Sequence, residues 1–365
     1  MSRIPRQELI AEEEVGIYHC VQRAVRRAFL CGQDAVTGKN FDYRKTWIQQ
    51  RLEFLAAYFG IDVLSFAVLS NHLHVILRNR PDVVAGWSDE EVARRWWFLF
   101  PQRKDDQNRA LEPTAADLQM LQADAEALAT RRRRLSSLSW FMRCLAEPIA
   151  RQANREDGCT GHFWEGRYKC QPLLDESAVL ACSVYVDLNP IRAGVAQTPE
   201  TSEYTSAYER IQTVQSNPVE TTGAVSSRHV TKAGGAGADR RRRGPRDAWL
   251  SPVELQAEAK ARSSGRQTAR ASDRGFLPLS LSEYLQLLDW TGRQARRDKR
   301  GQIPEALAPI LDRLQIAGEC WLDMVLNFSR WFRRAAGRAD SLAAEAARRG
   351  RHWLQGVTRS RVAFG

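Results

Sequence analysis

An α+β fold is the class this 365-residue sequence predicts, and three observations predict it. Apolar runs over residues 15–23, 62–69 and 72–78 read as strands, with a helical stripe between the first two, giving the order β-α-β-β. Residues 82–134 are polar, charged and helical in character, a helical insertion rather than core. Beyond a stretch without periodicity at 213–247, apolar residues return at helical spacing, so the C-terminal part is expected to be all-α.

The first strand is Val15-Gly-Ile-Tyr-His-Cys-Val-Gln-Arg23. A helix follows from Tyr43 to Phe59, where Trp47, Leu52, Leu55 and Phe59 approximate one face and Gly60 is placed to stop it. Asp62 to Leu69 and His72 to Arg78 are strands joined by a tight Ser-Asn turn, and Arg80-Pro81 ends the unit. In the insertion, the run Arg131–Arg134 suits either phosphate contact or a solvated helix end. Leu138 to Ala153 is an amphipathic helix, broken at Gly158 to Gly161. Asp175 reads as the N-cap of a helix running to about Leu188, because Pro190 disfavours its continuation. The domain organisation read from this is 1–212, with an insertion at about 82–134; a flexible basic linker at 213–247; and a helical basic domain at 248–365. In the last, Ser280 and Glu283 have capping-box spacing. Further helices are expected around Ile310–Leu314, along Trp321, Val325, Phe328 and Phe332, and from Leu342 to Leu354.

With 43% hydrophobic and 27% charged residues the composition is that of a soluble globular protein. No apolar run approaches the roughly 18 residues of a membrane span, and the N-terminus lacks a signal-peptide core. Seven scattered cysteines without a Cys-x-x-Cys pair argue against a disulfide framework, so a cytoplasmic, nucleoid-associated location is expected. The net charge of +11 is uneven: residues 1–239 carry 29 Lys+Arg against 30 Asp+Glu, whereas residues 240–365 carry 25 against 13. A positive field concentrated in the C-terminal third points to a polyanion, with nucleic acid the natural choice.

The segment Ser70-Asn71-His72-Leu73-His74-Val75-Ile76-Leu77 holds two of the six histidines. On a strand His72, His74 and Ile76 share one face and Leu73, Val75 and Leu77 the other. Two imidazoles about 7 Å apart along a strand can converge on one metal ion; the residues equally suit two strand histidines beside a turn. Tyr185 and Asn189 lie four apart, about one helical turn, so phenol and amide project together. An amide oxygen and two imidazoles would leave open positions on Mg²⁺ or Mn²⁺ for a phosphate oxygen, which Tyr185 could then attack. Packing of Tyr185 on the sheet and helix capping by Asn189 is the other reading of this pair.

Four segments in this order resemble the single-tyrosine HUH transposases, especially the REP-associated tyrosine transposases. They are Tyr18-His19-Cys20-Val21-Gln22-Arg23, Leu69-Ser70-Asn71-His72-Leu73-His74, Phe163-Trp-Glu-Gly-Arg-Tyr-Lys169, and Tyr185-Val-Asp-Leu-Asn-Pro-Ile-Arg-Ala-Gly194. The resemblance covers about residues 12–212, excluding the insertion. It implies a ferredoxin-like βαββαβ core with an antiparallel sheet and the His72–His74 strand central in it. His72, His74 and Asn189 are implied as holders of a Mg²⁺ or Mn²⁺ ion, and Tyr185 as the nucleophile forming a 5′-phosphotyrosine. Asp187 stands where a second tyrosine would be, so one nucleophile is expected. Arg23, Arg167, Lys169 and Arg192 are candidates for DNA backbone or hairpin contact. Trp164 and Tyr168 suit either base stacking or the core.

The resemblance thus implies a metal-dependent enzyme that nicks and rejoins single-stranded or hairpin DNA, with no membrane partner and a homodimer as one assembly. The alternative is a domesticated sequence-specific DNA-binding protein that keeps the fold without transposition. A His-x-His hydrolase of small molecules would need further ligands, and no other cluster accompanies the pair.

Overall fold

Four antiparallel strands form one sheet in the order β2-β3-β1-β4. They are β1 (Ile17–Arg23), β2 (Ile61–Val68), β3 (His72–Asn79) and β4 (Lys169–Leu173). The computed structural model describes residues 8–25, 31–32, 38–216, 245–255, 269–295 and 307–364. Most of the expected basic linker at 213–247, including Arg240–Arg243, lies outside the described residues.

Register decides which residues meet. In β1, His19 pairs with Ile76, Val21 with His74 and Arg23 with His72, while His19 and Val21 also pair with Gln171 and Lys169 of β4. Residues paired across neighbouring strands point to the same face. One face therefore carries His19, Arg23, His72, His74, Ile76, Lys169 and Gln171. The other carries Tyr18, Cys20, Leu73, Val75 and Leu77, all buried in one apolar cluster. Pro172, which has no N–H to donate, is tolerated because β4 is an edge strand. Its carbonyl instead accepts from Ala336 N at 3.0 Å.

The apolar face is covered by α1 (Tyr43–Tyr58), whose Ile48, Leu52, Leu55 and Ala56 are buried. The insertion comprises α2 (Pro81–Ala85), α3 (Asp89–Leu99), α4 (Ala115–Gln122) and α5 (Ala125–Leu135), followed by α6 (Leu138–Glu156). Ser88 and Asp124 cap α3 and α5, and Thr114 with Asp117 forms a capping box on α4. The insertion has a small core of its own, Ala93, Trp97, Leu118 and Leu121. Its arginine run holds this unit together. Arg131 donates to the Leu121 carbonyl, Arg132 to the Val84 and Trp87 carbonyls, and the Arg134 guanidinium lies 4.3 Å from the Trp140 ring. Gly60 is required here by contact: a Cβ would come within 2.1 Å of Val84 Cγ2.

The histidine face is covered by α7 (Glu176–Asp187), capped as expected by Asp175, whose carboxylate accepts from Ala178 N at 3.0 Å. The chain then continues through α8 (Asn189–Arg192) and α9 (Ser206–Ser216) to α10 (Leu281–Ala295). The α10 capping box forms, with Ser280 N donating to Glu283 Oε2 at 2.7 Å and Glu283 N to Ser280 Oγ at 3.2 Å. The last helices are α11 (Ala308–Arg313), α12 (Gly318–Leu326), α13 (Phe328–Trp331), α14 (Ala339–Arg348) and α15 (Val357–Phe364). One apolar cluster runs from Leu64 and Ile76 of the sheet through α7 into these C-terminal helices. Each fully buried Leu, Ile or Phe in it contributes about 1.5–3 kcal/mol.

Two sequence expectations are corrected. Trp321 to Phe332 is not one helix: it breaks at Asn327, whose amide donates to the Asp323 carbonyl and carboxylate and competes with the backbone ladder. The helix expected to reach Leu354 ends at Arg348, because Gly350 takes φ +60° and turns the chain.

Candidate functional site

Three of the six histidines meet on the covered face of the sheet. His19 Nε2 and His74 Nδ1 are 2.8 Å apart, and their rings stack with centroids 5.1 Å apart. The His72 ring stands edge-on to His74 at 4.7 Å. The short loop before β3 also serves the site, since Asn71 Oδ1 bonds His72 Nδ1. The Nδ1 atoms of both β3 histidines are therefore occupied, and Nε2 is the ring nitrogen of each that these two contacts do not engage.

Tyr185 reaches this cluster from α7. Its ring meets His74 edge-on at 5.7 Å and His19 at 6.1 Å. Phe328 of α13 stacks on its face at 5.7 Å, and the Arg192 guanidinium lies 5.0 Å from its ring centroid. Asn189 Nδ2 is 3.3 Å from His74 Nε2, and the equivalent amide orientation would present Oδ1 there instead. Pro190 explains how Asn189 gets there. Lacking an N–H, it cannot extend α7, so that helix ends at Asp187 and Asn189 opens α8. Tyr185 and Asn189 thus come from successive helices, yet both face His74.

Burial sets the charge state of the cluster. His19 is held down to about 4, chiefly by desolvation, against an opposing hydrogen bond to Gln171. His72 is also lowered to about 4, by burial and by the Arg23 charge. His74 is pushed well below the ordinary imidazole value by burial, then by His19, His72 and Arg192. At neutral pH all three keep their lone pairs. That is the protonation state a metal ligand needs.

By residue type, neutral imidazoles and an amide are donors that a divalent cation accepts. Two neutral imidazoles offer Nε2 with Nδ1 tied back by Asn71 and His19, the usual outer support of ligating histidines. Asn189 adds an amide beside His74. Among the described residues no group of three or more His, Cys, Asp or Glu side chains is arranged to hold a metal.

The remaining sequence candidates divide by position. Arg23 and Lys169 lie exposed on the histidine side of the sheet, Arg23 with Glu165 at 3.7 Å. Arg167 is exposed in the preceding loop. Arg192 is engaged with the Tyr185 ring and donates to the Leu326 carbonyl at 2.5 Å. Trp164 and Tyr168 belong with the core: the indole N–H donates to the Ala146 carbonyl at 2.9 Å, and the Tyr168 hydroxyl lies 3.3 Å from Ser139 Oγ. Asp187 is fully buried and bonded to Ser206, Ala207 N and Tyr284.

Sequence reasoning missed His19, Gln171 and Phe328 as members of the site. His19 has the strand parity of Arg23, a legible signal, but only the β1–β3 register brings it to His74. Gln171 is buried with Nε2 lacking a hydrogen-bond partner among the described residues. Phe328 is some 140 residues from Tyr185 and left no local signal.

No protein-family model matches this chain. No curated protein matches it either. Among solved structures it is similar to a REP-associated tyrosine transposase bound to a REP hairpin, at 12% identity and a TM-score of 0.34, over 65% of this chain and 100% of that one.

Proposed function

We propose that this chain is a DNA-nicking and rejoining enzyme of the single-tyrosine HUH type, with Tyr185 as its nucleophile. The observation that carries the reading is the convergence of one phenol, an amide and neutral imidazoles from four separate elements, β1, β3, α7 and α8, on one buried face. The strand order β2-β3-β1-β4, with helices α1 and α6 on one face, supports a ferredoxin-like core.

His72, His74 and Asn189 would hold Mg²⁺ or Mn²⁺, which supplies positive charge to polarise the phosphate under attack. The rest falls to the chain's own side chains. Tyr185 Oη forms a bond to phosphorus as the bond to the 3′ oxygen breaks. The phenol proton passes to solvent, the departing oxygen takes one up, and a 5′-phosphotyrosine is left. Attack by a DNA 3′-hydroxyl reverses the linkage and joins strands without ATP. His19 and Asn71 fix the imidazole orientations. Arg23, Arg167 and Lys169, exposed where β1 ends and β4 begins, suit the DNA backbone, and Arg192 orients the phenol while adding positive charge beside it.

The test is incubation with Mn²⁺ and a pool of single-stranded hairpins, followed by denaturing electrophoresis. Wild type is expected to form a covalent protein–DNA adduct; Tyr185→Phe is expected to form none while still binding. Adduct from the Tyr185→Phe variant would refute the nucleophile. Hairpin binding without any adduct from wild type would favour a binding protein that keeps the fold alone.

A further inference from the structure

The C-terminal helices contain a cleft of about 720 Å³, bounded by the end of α12, α13 and the segment from Trp353 to Arg359. Three features make it more than a surface irregularity. Trp353 at its rim is 71% exposed, the most exposed large apolar side chain among the described residues. Arg359 lies with its guanidinium 5.3 Å from the Trp331 ring, and its ion pair with Asp323 is long, at 3.9 Å. Arg330 also lines the cleft and is exposed, and no hydrogen bond or ion pair engages its side chain among the described residues.

The cleft is shaped by close packing. Gly356 sits at φ +112°, where a Cβ would come within 2.7 Å of Phe332. The amide of Gln355 donates to the Arg330 carbonyl at 3.2 Å, tying the two walls together. Charge complements the shape: residues 318–365 carry nine arginines against four carboxylates. An exposed indole in a cleft also lined by Arg330 and by Arg359, whose ion pair with Asp323 is long, suits a ligand with a flat aromatic base and phosphates on either side.

One short helix links the cleft to the tyrosine. Phe328 and Trp331 are three residues apart on α13, about 4.5 Å along a helix axis. Phe328 stacks on Tyr185, while Trp331 lines the cleft.

We propose that this cleft binds an unpaired nucleotide of single-stranded DNA, with Trp353 stacking on the base and Arg330 and Arg359 taking the flanking phosphates. It serves as the holding site for the strand flanking the one that Tyr185 cleaves. This last clause rests on the nicking function proposed above; the binding itself does not.

The test uses the full-length protein and fluorescence anisotropy with a labelled oligo-dT of about 20 nucleotides, which forms no hairpin. Trp353→Ala is expected to weaken binding at least about fivefold, and Trp353→Phe to retain most of it, because the contact is a stacking face. Arg330→Ala/Arg359→Ala is expected to flatten the slope of log affinity against log salt by about 1.4, the loss of two phosphate contacts on a single strand. Inorganic polyphosphate, which has no bases, should be bound equally by wild type and Trp353→Ala. Unchanged oligo-dT affinity in Trp353→Ala, or equal losses toward oligo-dT and polyphosphate, would overturn the proposal. Adduct formation at Tyr185 is read on the same protein preparations, incubated separately with Mn²⁺ and the hairpin pool. Adduct with Trp353-indifferent binding sinks the cleft alone; Trp353-dependent binding without adduct sinks the nicking function and leaves the cleft standing.

Discussion

Tyr284→Phe tests how the C-terminal helices are held against the helix that carries the proposed nucleophile. Tyr284 of α10 and Asp187 of α7 are both fully buried, and the phenol donates to Asp187 Oδ2 at 2.6 Å. Burial and the neighbouring carboxylate push the Tyr284 pKa well above its ordinary value, so the phenol keeps the proton it donates. The other carboxylate oxygen is served by Ser206 Oγ and Ala207 N. Phenylalanine keeps the ring and its packing but leaves Oδ2 without that donor. A hydrogen bond to a charged group contributes about 1.5–3 kcal/mol, a factor of roughly 10 to 150 in the folding equilibrium. Urea denaturation followed by both fluorescence and circular dichroism should show a lower midpoint at an unchanged slope. A double-mutant cycle with Asp187→Asn should give a coupling of at least about 1 kcal/mol. A loss below about 0.5 kcal/mol, or no coupling, would refute the view that this bond docks the C-terminal helices on α7.

Two further predictions concern the site. As pH falls from about 6.5 to 4, an unfolded imidazole takes up a proton that buried His19, held to about 4, refuses. Stability is then lost with falling pH across that window, by about 3 kcal/mol for this one group. His19→Gln should therefore lose about 3 kcal/mol less than wild type between pH 7 and pH 4 in urea titrations; parallel losses would show that His19 is not the group responsible. Phe328, fully buried against Tyr185, should cost about 3–5 kcal/mol when cut to alanine, whereas exposed Trp353 should cost within about 0.5. Thermal melts of the two variants compare them directly, and a small loss at Phe328 would mean that the C-terminal helices pack only loosely over the tyrosine.

Local pattern determined much of this molecule. Alternation along His72–Leu77 set which residues share a face of β3, since side chains on a strand have a period of two whatever lies beyond. Capping chemistry placed the starts of α7 and α10, because a Ser or Asp side chain reaches only the next few backbone N–H groups. Proximity of Tyr185 to Asn189 was likewise legible from four residues of spacing. What they face was not. His19 meets His74 only through β1–β3 register, Phe328 meets Tyr185 only because α13 folds back over α7, and the cleft beside Trp353 exists only between segments that pack late in the chain. Such contacts depend on long-range packing energies that leave no periodic trace in sequence, and the low imidazole pKa values follow from the burial that packing creates. The sequence by itself determined the chemistry on offer at His72, His74, Tyr185 and Asn189; only the tertiary structure decided that these groups share one buried face, because convergence is a property of how the sheet and helices pack.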